Sequence, residues 1–144
     1  MIKDNNGQIS LEYLLIFAIS IAILIVFTLP LTEHVIVDAF DVSDSLDVKN
    51  DLEKITHAIE KVYGEGQGSK QTVNIISPNK VKVYITNRQI YCNLKLKSGS
   101  YKYVDEYYES NLVTISITLN KGENTLVVEW PDNSENMIIY KKNR

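Results

Sequence analysis

From Tyr13 to Leu29 every residue is apolar or small and uncharged. At 1.5 Å per residue this run makes a helix of about 25 Å, the short end of what spans a bilayer. It constrains the fold more than any other feature, because a helix running from Ile9 to Tyr63 would be about 80 Å long, more than a compact domain of this size can bury, so that its N-terminal half is expected to be covered by lipid or by other subunits. What remains, from Thr32 to Arg144, is enough for one small core. One acid, Glu12, stands at the leading edge of the run.

A usual secretory signal has a basic start, a shorter apolar run and a small-residue cleavage site after that run. Here the leader "MIKDNNG" carries one Lys and one Asp, and "LPLTEHV" after the run offers no A-x-A pattern. A cut before the run, between Gly7 and Gln8, would end a polar leader on a small residue and leave the apolar helix on the mature chain.

The order Gly7, Gln8, Ser10, Glu12, Tyr13 in "GQISLEYLL", followed by an apolar helix, resembles the class III signal peptide of archaeal type IV pilins. It is most similar to methanogen pilins whose mature chains begin Q-x-S-x-E. The resemblance covers about the first 30 residues, and Lys3 beside Asp4 is a less basic leader than such proteins often have. It implies cleavage by a membrane-embedded prepilin peptidase, an assembly ATPase and a platform protein as partners, and a filament subunit as product. The residues it assigns to assembly are Gln8, Glu12, Tyr13, Leu14, Leu15, Phe17 and Pro30.

Physics gives Glu12 a reason independent of that resemblance. An ionised carboxylate in hydrocarbon costs several kcal/mol unless it is paired. Cleavage before Gln8 would create an α-amino group one helical turn from Glu12, and in a staggered stack of parallel helices that amine can reach a neighbour's carboxylate. The alternative is an acid at headgroup level, favoured there by the helix dipole by about 0.3–1 kcal/mol.

Pro30 falls inside the helical pattern and removes one hydrogen bond, so a kink is expected rather than a stop. Val48, Leu52, Ile55, Ile59 and Val62 then recur at spacings of 4, 3, 4 and 3, one face of a helix ending near Tyr63. "GEGQGS" breaks it. Asp38, Asp41, Asp44, Asp47 and Asp51 form an acidic stripe, read either as inter-subunit electrostatics or as a solvated face. Residues 32–63 hold eight acids against three lysines, whereas residues 64–144 hold eleven Lys/Arg against eight acids. "DVSDSLDVKND" lacks the Gly and closing Glu of a calcium loop.

From Gln71 onward seven alternating segments read as strands, with buried faces expected at Val81, Val83, Ile85 and at Val113, Ile115, Ile117, Leu119. The turn signals "SPNK", "KSGS", "NKGE" and "PDNS" predict hairpins. The expected fold is α+β: a leader at 1–7, an apolar helix at 8–31, its amphipathic continuation at 32–63, a Gly-rich linker at 64–70 and an antiparallel β-domain at 71–144, packed on the second half of the helix.

The net charge of −3 and the lack of a basic cluster interleaved with aromatics argue against nucleic acid. His34 and His57 stand apart from Cys or a second His, so no metal is expected. No nucleophile motif or phosphate loop appears, and neither an enzyme nor a cofactor is expected. Cys92 reads as a buried strand thiol, and Asp105 and Glu106 read as surface. Tyr101, Tyr103, Tyr107 and Tyr108 could contact a surface, a sugar or a neighbouring subunit, although packing of Tyr101 and Tyr103 on the sheet is the preferred reading. There is no N-x-S/T sequon. The function expected is a pilin that is stored in the membrane and polymerises into an extracellular filament for surface attachment. The alternatives are a minor tip or binding protein anchored in the same way and, fitting the start less well, an archaellin.

Overall fold

The computed structural model describes residues 5–142, with side chains from Ser10 onward. One helix, α1 (Asn5–Glu65), is followed by seven strands, an α+β fold. The chain divides into two units, one through Ala39 and one from Phe40 onward.

Pro30 lies inside α1, which continues past it. The hydroxyls of Ser20 and Thr32 donate to helix carbonyls, to Ile16 at 2.8 Å and Leu29 at 2.8 Å, so these polar groups are satisfied within the helix itself. The helix ends two residues beyond Tyr63. Gly66 takes a left-handed conformation (φ 87°), its N–H donates to Val62 O at 3.0 Å, and the Ser69 hydroxyl donates to the same carbonyl. Glycine adopts this geometry at little cost, which is why the helix stops there.

The strands are β1 (Lys70–Ser77), β2 (Val81–Ile85), β3 (Gln89–Lys95), β4 (Tyr101–Tyr107), β5 (Ile115–Leu119), β6 (Gly122–Glu129) and β7 (Ile138–Lys141). They form two antiparallel sheets, ordered β1-β6-β7 and β4-β3-β2-β5. "KSGS" and "PDNS" close hairpins, as predicted, whereas "SPNK" and "NKGE" carry the chain from one sheet to the other. The second switch is pinned by buried Asn124, whose amide donates to Asn120 O and Gly122 O and whose carbonyl accepts from Asn120 N–H and Lys141. A side chain with this many partners costs little to bury.

Val48, Leu52, Ile55, Ile59 and Val62 are all buried, in one cluster with strand residues of both sheets, among them Ile75, Val83, Leu94, Leu126 and Val128. Each such side chain contributes about 1.5–3 kcal/mol of burial before entropy is counted. Val81, Val83 and Ile85 face inward as expected. The run from Val113 does not: Val113 lies outside β5 and is exposed, Ile115 is 40% exposed, and only Ile117 and Leu119 are buried. Leu112 is buried instead, which shows that the segment before β5 leaves the strand pattern.

Candidate functional site

The apolar stretch of α1 is the candidate site. Tyr13, Leu14, Leu15 and Phe17 are each 59–70% exposed, as is Leu11 on the turn before them. The most apolar 18-residue window has a mean hydropathy of 2.9 and none of it is buried by the chain. The exposed side chains from Leu14 to Leu31 surround the helix, since successive residues turn by about 100°. A helix that is apolar on every side is covered by lipid or by other protein.

Glu12 begins this surface. It is exposed, and no described residue pairs with it. Gly7 and Gln8, the expected cleavage positions, lie outside the residues whose side chains are described.

The acidic stripe divides. Asp41 is buried, and its carboxylate accepts from the backbone N–H of Lys97 at 2.6 Å and of Ser98 at 3.1 Å, clamping the β3–β4 turn to the helix. Burial works to raise this carboxyl, but the hydrogen bonds from Ser98 and Lys97 together hold it below its ordinary value. Asp51 is also buried and binds Lys54 at 2.8 Å. Expectation and structure differ for these two, because both are engaged inside their own chain. Asp38 and Asp47 face outward and Asp44 is half-buried.

The tyrosines also divide. Tyr108 is buried and its hydroxyl donates to Thr86 O, so it offers no surface contact. Tyr101 and Tyr107 are strongly exposed, and Tyr101 does not pack down on the sheet. Tyr103 leans on Tyr91, with ring centres 5.7 Å apart, and Tyr91 stacks on Tyr84 at 5.2 Å, with Lys82 over the Tyr84 ring. Sequence reasoning missed Tyr84 and Tyr91. The signal was present, since both alternate with the buried residues of β2 and β3 and so point to the outer face.

Asp105 accepts from the Gln89 amide at 3.0 Å, and Glu106 lies 3.5 Å from Lys49. Glu129 accepts from Tyr140 and pairs with Lys70, which ties β1, β6 and β7 together. Lys70 is the main reason its carboxyl is held below the ordinary value. Cys92 is buried, and burial pushes its thiol up to about 11. His34 and His57 are exposed, with His57 3.7 Å from Glu60. Among the described residues no group of His, Cys, Asp or Glu could hold a metal ion.

Residues 5–31 match the family model of the class III signal peptide. Such segments are typical of archaeal type IV pilins and archaellins, which supports a secreted, membrane-anchored subunit of pilin-like or archaellin-like kind. The methanogen subtype is not distinguished by this match. No curated protein and no solved structure matches the chain.

Proposed function

We propose that the chain is the structural subunit of an archaeal type IV pilus, stored in the membrane through Tyr13–Leu29, cleaved after Gly7 and polymerised through that helix. The observation that carries this reading is an apolar helix exposed on every side, with an acid at its head and a matching signal segment. In the membrane, lipid covers the helix. In the filament, neighbouring helices replace the lipid and restore the burial lost on extraction.

Glu12 sets the register. The α-amino group created at Gln8 lies one turn away along its own helix, and a staggered neighbour brings that amine to the carboxylate, so that two charges are buried as a pair. The prepilin peptidase, the assembly ATPase and the platform protein act on the precursor and on extraction. Surface attachment is the expected output, with the β-domain outside. Glu12→Ala tests the pairing: the variant inserts in the membrane and is processed, but gives little or no sheared filament. Filaments at the wild-type level in that variant would remove it.

A second reading, a minor tip protein or an archaellin, rests on the same signal segment. Copy number in a sheared filament fraction separates the readings. Many copies support a major subunit, while a chain confined to the membrane supports an anchored minor one.

A further inference from the structure

The C-terminal end of α1 and the loops beside it enclose an open cavity of about 680 Å³, a volume usual for small-molecule sites. Glu60, Tyr63 and Gly64 line it from one side of the helix, as residues three and four apart do. Arg88, in the turn between β2 and β3, and Tyr107 and Glu109, at the end of β4, line it from the sheet. The walls are fixed before anything binds. Thr86 Oγ1 accepts from the N–H of Arg88 at 3.3 Å and of Gln89 at 3.0 Å, and the Tyr108 N–H donates to Arg88 O at 3.0 Å. Tyr63 stacks on Trp130, with ring centres 5.8 Å apart, and Trp130 is held in turn by its ring N–H donating to Ser134 O.

The charges in this cavity do not neutralise each other. The Arg88 guanidinium and the Glu109 carboxylate line one space, yet neither forms an ion pair or a hydrogen bond with any described residue. Glu60 has only the exposed His57, at 3.7 Å. Such a lining excludes most ligand classes. Two carboxylates against one guanidinium disfavour an anion, the guanidinium disfavours a simple cation, and charged walls are a poor cover for a lipid chain. A neutral polyol fits. Each hydroxyl both donates and accepts, so neighbouring hydroxyls of one sugar ring give to Glu109 or Glu60 and take from Arg88. The C–H surface of the same ring covers tyrosine, which a small zwitterion would leave bare. Tyr84, Tyr91 and Tyr103 offer no equivalent, because they stack on one another.

We infer that this cavity binds a neutral sugar residue of a surface glycan, with Arg88 and Glu109 holding adjacent hydroxyls and the Tyr63 and Tyr107 rings covering its C–H surface. None of these residues belongs to the apolar stretch that lipid or neighbouring helices cover in the proposed function. The inference goes beyond the filament reading, since it gives attachment a chemical target and the binding itself requires no assembly.

The test titrates the full-length chain, purified in a detergent without a sugar headgroup, with cellohexaose, chitohexaose, mannohexaose and the anionic hexagalacturonate, and reads affinity by calorimetry. The wild type is expected to bind at least one of the neutral hexaoses, and hexagalacturonate more weakly. Arg88→Ala and Glu109→Gln should each weaken that binding by about tenfold. Gly64→Phe should weaken it further. Gly64 has no left-handed φ and a Cβ added there meets nothing within 4 Å, so the new ring fills the hollow without straining the fold. Tyr101→Ala, at an exposed tyrosine outside the cavity, should bind as the wild type does. Failure to bind any neutral hexaose overturns the inference, as does tighter binding of hexagalacturonate. Wild-type affinity in either Arg88→Ala or Gly64→Phe overturns it too. A chain that binds sugar but yields no sheared filament removes the proposed function and leaves this site, whereas filaments of a chain that binds none remove only the site.

Discussion

Two stretches of one helix, Tyr13–Leu29 and Val48–Val62, are both rich in large aliphatic residues and have opposite fates. In the second, the aliphatics recur every three or four residues and all five of the periodic set are buried against the sheets. In the first they occupy every side of the helix, and its own chain buries none of them. Hydrophobicity is similar in kind. Its angular distribution decides whether the partner is the chain's own sheet or something outside it.

Removing Glu12 gives the largest expected effect, because Glu12 stands at the head of the stretch that its own chain leaves uncovered. Glu12→Ala should cut sheared filament by more than tenfold while leaving the unfolding of the β-domain unchanged, as read by circular dichroism. A β-domain that unfolds earlier in this variant would show that the two stretches are not independent.

A matched pair of truncations sharpens the contrast. Leu52→Ala opens a cavity in the core and should cost about 2–5 kcal/mol of β-domain stability in denaturant titration. Leu24→Ala, at a side chain 65% exposed in its own chain, should cost that domain nothing. Equal losses would break the distinction between inner and outer partners.

A smaller effect comes from acid. Asp41 and Glu129 are both held below their ordinary values, so each adds stability that is present above its unfolded pKa and is lost as pH falls through the folded one. Lowering pH from about 5 to about 3 should therefore destabilise the β-domain. Asp41→Asn should be less stable than wild type at neutral pH and should converge on it in acid. A gap between the two that widens as pH falls would contradict the clamp. Smallest of all, Cys92 should resist thiol alkylation at neutral pH in the folded chain and react once it is unfolded, since burial holds the thiol up to about 11.

The helix and all seven strands were legible in the sequence, because period and turn chemistry act locally. Val48, Leu52, Ile55, Ile59 and Val62 announced their shared face, and "GEGQGS" announced the end of the helix to within two residues. The sorting of strands into two sheets was not legible. "SPNK" and "NKGE" look like hairpin turns, and what sends them across is the pairing of β1 with β6, about fifty residues apart. The fates of Asp41 and Tyr108 were hidden for the same reason. Their partners, the Lys97–Ser98 backbone and Thr86 O, lie far away in sequence and come near only when the sheet packs on the helix. At the candidate site the exposed apolar helix and its acid were plain, since no described residue from elsewhere in the chain covers them.

The most direct test of the central claim is the intact mass of the subunit recovered from a sheared filament fraction. The account predicts abundant chain that begins at Gln8, shorter than the precursor by the seven residues Met1 to Gly7. A chain that keeps Met1, or that is found only in the membrane, would contradict it.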